Sequence, residues 1–323
     1  MPLVTGRSNA GAFGLGWSAQ TASATRALFG GGYTTTGANV IDYVTIETAG
    51  NATDFGDLTQ PRAAIDGCSS DTRGVWAGGY YYPAPPTTSR IDFVTIATTG
   101  NASTFGDLTY GRYGLSSFSN QTRGVWGGGG DTSVGNVLSY IDYITIASTG
   151  NATTFGSLTV ARRYLAGGLA SPTRGIFAGG YTGSYSNVMD YVTIASTGNA
   201  TDFGDLTTAR GSCPGGGTSS SVRGLFMGGY QPSSAINTID YVTIASTGNA
   251  TDFGDLLEPQ QGKAVTSNNT TAVAGGGYKT GVGNLNIIES INISTTGNSV
   301  DFGDRTVAIY DGGACSSNHG GLQ

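Results

Sequence analysis

The side chains of this chain that could do chemistry recur at the interval of a repeat. A carboxylate stands in each Ile-Asp-Tyr-Val-Thr-Ile segment, an arginine stands in each Thr-Arg-Gly segment, and paired aspartates flank a Phe-Gly. A ring of arginines would bind an anion, and clustered carboxylate oxygens would bind Ca²⁺. Groups that recur once per repeat can equally stabilise each repeat, so the units that depart from the pattern decide between these interpretations.

The repeated arginines do not complete a ring, because the sixth unit has Thr271 in their place. We therefore interpret them as partners, within their own repeat, of the repeated carboxylate or of turn carbonyls. The series comprises Arg26, Arg73, Arg123, Arg174 and Arg223.

The paired aspartates are also incomplete. Thr104 replaces one member in the second unit, and Thr154 and Ser157 replace both members in the third. Since Asp side chains are favoured in turns, we expect these residues to cap turns, and we predict no metal site. The complete pairs are Asp54 with Asp57, Asp202 with Asp205, Asp252 with Asp255, and Asp301 with Asp304.

Several asparagines head Asn-Ala-Thr or Asn-Ala-Ser, which are acceptor sequences for N-glycosylation. Each also follows a glycine, and Gly-Asn is a turn signal because both residues tolerate positive φ. The first residues of the chain lack the basic start and apolar middle of a secretory signal. We therefore expect turns rather than glycosylation at Asn51, Asn101, Asn151, Asn199 and Asn249.

Catalytic groups are few. His319 is the only histidine, so a metal site built on several imidazoles is excluded and a Ser-His-Asp triad is open only through that residue. A glycosidase that uses carboxylates alone remains open, although no pair stands out among the acids outside the repeat. Those acids include Glu47, Asp66, Asp131, Glu258 and Asp311. We expect a protein that is not an enzyme and that uses no cofactor.

Charge and composition limit the partners. The net charge of the 323 residues is −6, whereas a nucleic-acid groove or an anionic membrane surface attracts a basic patch. We expect neither partner, and no apolar stretch is long enough to predict a transmembrane helix. Cys68, Cys213 and Cys315 are an odd set without paired spacing, so we expect buried thiols rather than a disulfide framework.

These groups are positioned by an internal repeat of about fifty residues. In the second unit, four segments of strand composition lie within 62–70, 72–80, 91–96 and 105–109. Six units of four strands predict an all-β, six-bladed β-propeller with four-stranded blades, with a linear β-solenoid as the alternative. The repeated acid recurs at intervals of 50, 50, 48, 50 and 49 residues, at Asp42, Asp92, Asp142, Asp190, Asp240 and Glu289.

The two ends of the chain indicate that the ring closes. The segment 314–317 resembles 67–70, the first strand of the second unit. We expect this C-terminal strand to pair into the first blade and so to remove an open sheet edge. The propeller then spans residues 24–323, and residues 1–23 form an N-terminal arm. The candidate partner-binding residues of the arm are Phe13, Leu15 and Trp17.

The connections between the second and third strands differ from unit to unit. They span 81–89, 131–139, 182–187, 231–237 and 279–286. A rigid ring that displays divergent loops on one face is suited to recognition, and tyrosine is a good contact residue; drift of the loops without selection is the alternative. The candidate binding residues are Tyr81, Tyr82, Tyr185, Gln231 and Lys279.

A double glycine ends the second strand, and Leu-Thr-x-x-Arg precedes the first strand. In these features and in its length the unit resembles the kelch repeat over about residues 25–317, which implies a kelch-like propeller. It departs from that family because the kelch Tyr and Trp pair is not at kelch spacing, and Phe55 and its equivalents take the Trp-like role.

The chain also carries Thr-Arg-Gly-(Val/Ile)-(Trp/Phe), then Ile-Asp-Tyr-Val-Thr-Ile-Ala-Ser-Thr-Gly-Asn-Ala-Thr-Asp-Phe-Gly-Asp-Leu-Thr, and the closing segment 316–322. These sequence motifs resemble repeats in structural proteins of marine tailed bacteriophages. The resemblance implies a virion protein assembled in the host cytoplasm: a tail fibre, an adhesin or a capsid-surface decoration. Its partners would be other virion proteins and host surface glycans. A carbohydrate-active propeller enzyme of glycosidase type and a generic intracellular kelch adaptor remain the alternatives.

Overall fold

The computed structural model describes residues 24–81, 87–132, 136–211 and 215–322, and the strands in these ranges form six four-stranded antiparallel sheets. Each sheet is one blade of a β-propeller, so the predicted fold class is confirmed. A two-stranded ribbon lies between the second and third strands of blade 6, and a short 3₁₀ helix, Gly320–Leu322, follows the last strand.

The strands are named in chain order. Blade 1 contains β1 (Arg26–Tyr33), β2 (Gly37–Thr45), β3 (Thr53–Asp57) and the last strand, β26 (Gly313–Ser316). Blade 2 contains β4 (Asp66–Ser69), β5 (Arg73–Ala77), β6 (Arg90–Thr95) and β7 (Ser103–Asp107). Blade 3 contains β8 (Ser116–Ser119), β9 (Arg123–Gly127), β10 (Tyr140–Thr145) and β11 (Thr153–Ser157). Blade 4 contains β12 (Gly167–Ala170), β13 (Arg174–Tyr181), β14 (Tyr185–Thr193) and β15 (Thr201–Asp205). Blade 5 contains β16 (Gly217–Ser219), β17 (Arg223–Tyr230), β18 (Ala235–Thr243) and β19 (Thr251–Asp255). Blade 6 contains β20 (Ala264–Ser267), β21 (Thr271–Gly275), the ribbon β22 (Tyr278–Lys279) and β23 (Gly283–Asn284), then β24 (Ile287–Asn292) and β25 (Val300–Asp304).

The hydrophobic core lies between the blades. Six clusters of buried side chains each join two consecutive blades, and the cluster of Val75, Ile91 and Phe105 in blade 2 includes Trp126 and Ile144 of blade 3. This sandwiching explains why the third strands carry apolar residues on both faces. Burying one large apolar side chain contributes about 1.5–3 kcal/mol, so each interface stabilises the ring substantially.

The C-terminal strand closes the ring as predicted. β26 pairs antiparallel with β1, in a register that places Ala27 opposite Ser316 and Gly30 opposite Gly313. This pairing gives blade 1 its innermost strand and leaves no open inner edge between the first and last units.

Because neighbouring strands are antiparallel, the connections fall at two ends of the ring. At one end lie the loops between second and third strands and the connections that lead from one blade to the next. At the other end lie the turns between first and second strands and the hairpins between third and fourth strands; we call this end the hairpin face. The first strands of adjacent blades contact one another and surround the axis.

Several predicted boundaries are wrong. The fourth strand of blade 2 is Ser103–Asp107 rather than 105–109, because the Thr109 hydroxyl leaves the strand to bind the Asp142 carboxylate. Half of the predicted loop 182–187 is strand, since β14 already begins at Tyr185, and β18 likewise begins at Ala235 within the predicted loop 231–237. The predicted loop 279–286 contains residues of the ribbon β22 and β23. The divergent connections are therefore partly strand ends of fixed geometry.

Candidate functional site

A buried ion pair joins each blade-to-blade connection to the third strand of the blade that follows. In blade 2, Arg62 Nη2 lies 2.6 Å from Asp92 Oδ2, and both side chains are fully buried. The Thr59 hydroxyl donates to Asp92 Oδ1 at 2.7 Å. Burial lowers the pKa of Arg62, and the charge of Asp92 opposes that shift. The equivalent pairs are Arg112–Asp142, Arg162–Asp190, Arg210–Asp240 and Arg305–Asp42.

In blade 6 a glutamate, a lysine and a glutamine take the place of the aspartate and the arginine, so one negative and one positive charge are again buried together. Glu289 Oε1 accepts a hydrogen bond from Gln260 Nε2 at 2.5 Å and lies 3.0 Å from Lys263 Nζ. Burial alone would raise the pKa of Glu289, but Lys263 and the Ser299 hydroxyl lower it below its ordinary value. The repeated carboxylates therefore hold the ring together. In blades 2 to 5 the residue that binds them is the arginine of Leu-Thr-x-x-Arg, whereas in blade 1 Arg305 comes from the segment Asp304-Arg305-Thr306, which lacks that motif.

The arginines of the Thr-Arg-Gly segments have other partners. Arg26 Nη1 donates to the carbonyls of Ile96 at 2.9 Å and Ala97 at 2.8 Å, at the end of a third strand in the next blade. Its guanidinium also lies 4.9 Å from the Tyr43 ring centroid. The prediction of a partner within the same repeat, including the repeated carboxylate, is therefore wrong for these hydrogen bonds. The carbonyl alternative holds, but across blades, and the arginines do not form an open anion site.

The paired aspartates lie within the fourth strands, so the prediction that they cap turns is wrong. Asp54 and Asp57 belong to β3, and the Asp57 amide donates to Asn101 Oδ1 of the next blade at 3.0 Å. The Gly-Asn hairpin thus binds the preceding blade, and a Cβ on Gly56 would lie 2.5 Å from the Gly100 carbonyl oxygen. Within the described ranges no three His, Cys, Asp or Glu side chains form a potential metal cluster.

The axial channel is closed toward the hairpin face. Serine hydroxyls of the first strands donate to carbonyls of neighbouring blades, as Ser119 does to Ser69 at 2.7 Å, and Ala170 interrupts this series. His319 Nε2 lies 3.1 Å from the Ser119 hydroxyl, and burial lowers the pKa of His319 to about 4. The remaining cavity is about 40 Å³. Cys68 and Cys315 are buried thiols as predicted, whereas Cys213 lies outside the described residues.

At the opposite end of the axis, backbone hydrogen bonds link the starts of successive first strands. The amides of Ala64, Gly114 and Tyr164 donate to the carbonyls of Asp311, Ala64 and Gly114, at 2.8, 2.9 and 2.6 Å. The Asp311 amide donates to the Gly262 carbonyl at 2.8 Å. All five residues have left-handed φ angles, between 49° and 69°. We call this set the axial ring.

Tyrosines surround the axial ring and define what we call the tyrosine face. Tyr310 packs edge-on to Tyr33 and tilted to Tyr278, both with centroids 5.4 Å away. Tyr113 lies 5.6 Å from Tyr80 and 5.4 Å from Tyr164. The set that defines this face is Tyr33, Tyr80, Tyr113, Tyr164, Tyr181, Tyr185, Tyr230, Tyr278 and Tyr310.

An arginine fixes one side of this aromatic surface. The Arg163 guanidinium lies 5.7–5.8 Å from the centroids of Tyr113, Tyr164 and Tyr181, and its Nη1 donates to the Tyr113 hydroxyl at 2.5 Å. Such cation–π contacts orient rings that are otherwise free to rotate into solvent. The tyrosine face is therefore preorganised in blades 3 and 4.

The predicted binding residues lie at this end of the ring but not in one pocket. Tyr185 packs edge-on to Tyr181 and tilted to Tyr230, with ring centroids 5.4 and 6.0 Å away. The other described residues have local partners: the Tyr81 hydroxyl donates to Gln60 Oε1, the Gln231 backbone amide donates to the Ser234 carbonyl, and Lys279 forms an ion pair with Glu258. Tyr82 of the loop and Phe13, Leu15 and Trp17 of the arm lie outside the described residues.

Sequence reasoning missed the residues closest to the axis. Asp311 was recognised only as an acid outside the repeat, and Tyr80, Tyr113, Tyr164 and Tyr310 were not singled out. Aligning the repeats could have singled out Tyr164 and Asp311. They stand at the position that is glycine in two other units, Gly114 and Gly262.

Two buried carboxyls lie near the axis, and their environments differ. Asp66 accepts hydrogen bonds from the Ser117 amide at 2.6 Å, the Gly67 amide at 2.7 Å and the Ser116 hydroxyl at 3.2 Å. Burial raises the pKa of Asp66 to about 7 although these hydrogen bonds oppose it. Burial likewise raises the pKa of Asp311 to about 7, and no described residue donates a hydrogen bond to its Oδ1.

A second aromatic patch lies on the outer part of blade 3. Tyr110 and Tyr140 are 42% and 46% exposed and pack with centroids 6.2 Å apart. They border a groove of about 490 Å³ that Thr109, Thr154 and Asn199 also line. The patch extends the tyrosine face outward at one blade.

No protein-family model matches the chain, and no curated protein matches it either. Within the described residues there is no helix with the length and apolar character needed to cross a membrane.

Proposed function

We propose that the protein is a non-enzymatic recognition module that binds another protein subunit or a surface glycan through its tyrosine face. The observation that carries the proposal is the concentration of tyrosines, most of them half-buried, at one end of the ring, in edge-on and tilted contacts that differ between blades. Tyrosine supplies a large contact area with few rotatable bonds, which favours binding. The hairpin face, by contrast, repeats the same hydrogen bonds from blade to blade.

The electrostatics of the axis favour binding over glycoside hydrolysis. A glycosidase separates the roles of two carboxyls by pushing their pKa values apart, so that one is ionised while the other carries a proton. Burial here raises the pKa values of Asp66 and Asp311 to about 7 alike. Asp66 is moreover held by three hydrogen bonds from its own surroundings.

The test of the recognition proposal compares the two faces. Tyr185→Ser combined with Tyr230→Ser removes a pair of contacting rings from the tyrosine face, and Val222→Ser changes a side chain that is 63% exposed at the hairpin face. On a glycan array and in co-sedimentation with host envelopes or virus particles, we expect the double variant to lose at least about 30-fold in affinity, as for interface hot spots. Loss in the Val222 variant with full binding by the tyrosine variant would refute the assignment.

We further propose that the module is a kelch-like component of a tailed-phage virion, as a tail fibre, an adhesin or a capsid-surface protein. The resemblance of the repeat sequence to repeats of tailed-phage structural proteins supports this proposal, and a closed ring with few charged residues suits a particle surface. Quantitative mass spectrometry of purified particles, with antibody labelling by electron microscopy, tests it. We expect many copies at one position of the particle, and absence from particles would contradict the proposal.

A further inference from the structure

Asp311 takes part in the axial ring through its backbone, since its amide donates to Gly262 and its carbonyl accepts from Ala64. Its carboxylate oxygen Oδ1 is buried and has no hydrogen-bond partner among the residues that the structure describes. Only 6% of the residue is exposed. Burying a polar oxygen without a partner costs free energy, so this arrangement calls for an explanation.

The conformation of the axial ring makes glycine the least costly residue at this position. Asp311 has a φ of 58° and Tyr164 has a φ of 49°, whereas Gly114 and Gly262 occupy equivalent positions without that cost. A bulky residue such as tyrosine is rare in this region of backbone conformation. Strain of this kind concentrates where a side chain serves binding, and here it brings a carboxylate and an aromatic ring to the axis.

Tyrosines of three blades lie near residue 311. Tyr310 precedes it in the chain, Tyr80 pairs with Ala63, which is next to the Ala64 amide that donates to Asp311, and Tyr164 belongs to the same axial ring. The charge of Asp311, after burial itself, raises the pKa of Tyr80 in blade 2, Tyr164 at the start of blade 4 and Tyr310 at the start of blade 1. A carboxylate whose charge acts on tyrosines of three separate blades lies close to the axis. Tyr80 and Tyr164 are joined through Tyr113, so the aromatic wall is continuous on that side.

An unpaired carboxylate among aromatic rings is suited to one class of ligand. Rings attract a cation through their faces, and the carboxylate accepts charge-assisted hydrogen bonds from N–H groups. The overall charge of −6 favours the approach of a cation. A neutral sugar would instead leave the charge of the carboxylate uncompensated.

We propose that Asp311, with Tyr80, Tyr164 and Tyr310, forms an axial site for an organic cation that carries N–H groups, an alkylammonium or a guanidinium. The proposal rests on the proposed recognition function and names the chemistry that the centre of the tyrosine face binds. Such a group belongs either to a free amine or to a lysine or arginine side chain of a partner protein.

The test titrates the purified protein with n-butylammonium and ethylguanidinium, and with tetramethylammonium as a cation without N–H groups. Binding is measured by calorimetry and by tyrosine fluorescence at pH 8, where Asp311 is ionised. We expect the N–H cations to bind at least about 10-fold more tightly than tetramethylammonium. Equal affinities for all three would overturn the hydrogen-bonding role of the carboxylate.

Variants separate the site from the stability of the fold. Asp311→Asn removes the charge. Asp311→Gly removes the carboxylate and provides the residue that this φ favours. The glycine variant therefore still tests the proposal if the asparagine variant folds poorly. The matched control is Asp202→Asn, an exposed carboxylate in β15. We expect both Asp311 variants to lose at least about 10-fold in affinity and the control to lose nothing. Unchanged binding in a folded Asp311 variant would overturn the proposal.

Two further arms identify the source of the cation and isolate the proposal. A lysine peptide that binds at least about 10-fold more tightly than its norleucine analogue and than n-butylammonium indicates a partner side chain, whereas equal affinity of peptide and amine indicates a free amine. If Asp311→Gly retains the binding to particles or envelopes that the Tyr185 and Tyr230 double variant loses, a partner side chain is not the ligand, and the recognition face stands without it.

Discussion

Replacing Asp142 by asparagine should destabilise the propeller by about 3–5 kcal/mol, the usual cost of removing one partner from a buried ion pair. Arg112 Nη1 lies 2.8 Å from Asp142 Oδ2, and the two side chains are 0% and 1% exposed. The substitution leaves the guanidinium charge buried beside a neutral amide. Thr109 also loses the charged acceptor of its hydroxyl, which lies 2.7 Å from Asp142 Oδ1.

The arginine variant completes a double-mutant cycle. Arg112→Met removes the positive charge and keeps an apolar stem of similar reach, and the double variant leaves neither charge unpaired. We expect the double variant to be at least about 2 kcal/mol more stable than the sum of the two single losses predicts. Urea unfolding, followed through the fluorescence of buried Trp126, gives each free energy, and Asp202→Asn serves as the exposed control.

Two results would refute this reasoning. If Asp142→Asn lies within about 0.5 kcal/mol of the exposed control, the pair does not stabilise the connection between blades. If the two single losses simply add, the residues contribute independently and the ion pair is incidental.

Three further predictions concern the axis and the hairpin face. Because the folded pKa of Asp311 is raised to about 7 from 3.8, its protonated form stabilises the fold below pH 4, and this contribution of up to about 4 kcal/mol is lost as pH rises to 7. Asp311→Asn should remove this share of the fall in urea-measured stability over that window. Asp66, whose pKa burial likewise raises to about 7, keeps its own share of the same sign, and His319, whose pKa is lowered to about 4, acts with the opposite sign between pH 4 and 6.5. Tyr80, Tyr164 and Tyr310, whose pKa values burial raises, stay neutral there, and an unchanged slope would contradict the assignment. Asn151→Ala should cost about 0.5–1 kcal/mol in thermal unfolding because the Asp107 amide loses an acceptor at 3.1 Å, and Asn151→Asp, which keeps an oxygen there, should lose less. Ser219→Ala should cost about 1–2 kcal/mol because the hydroxyl that binds the Ala170 carbonyl at 2.7 Å is buried, and no loss would show that the serine series is dispensable.

The periodicity of the sequence was sufficient to predict the ring. Blade number, strand number and the pairing of β26 with β1 follow from repeats of fixed length and from the likeness of 314–317 to 67–70. These features depend on the order of residues within each repeat, which can be read from a single sequence.

Contacts between blades could not be predicted in the same way. Arg26 and Arg62 recur with the same period as Asp92, so periodicity alone does not say which arginine meets the carboxylate. The choice depends on the path of each connection, which carries Arg62 onto the following blade and aims Arg26 at the carbonyls of Ile96 and Ala97. Repeat analysis identified the partners but not their pairing.

The axial site was also beyond sequence reasoning, for a geometric reason. Tyr80, Tyr164 and Asp311 are separated widely along the chain and meet only because ring closure brings the starts of the first strands to one axis. The left-handed conformation that all four of Gly114, Gly262, Tyr164 and Asp311 adopt, and that is costly only for Tyr164 and Asp311, is visible only in the backbone.

Oxidative footprinting tests the central claim, that recognition occurs through the tyrosine face, most directly. The modification rates of Tyr185, Tyr230 and Tyr278 are compared with that of Val222 at the hairpin face, for the free protein, for the protein in purified virus particles, and for particles adsorbed to host envelopes. We expect the tyrosines to be protected on assembly or on adsorption while Val222 keeps its rate. Tyrosines that stay equally reactive in all three states, with protection confined to Val222, would contradict it.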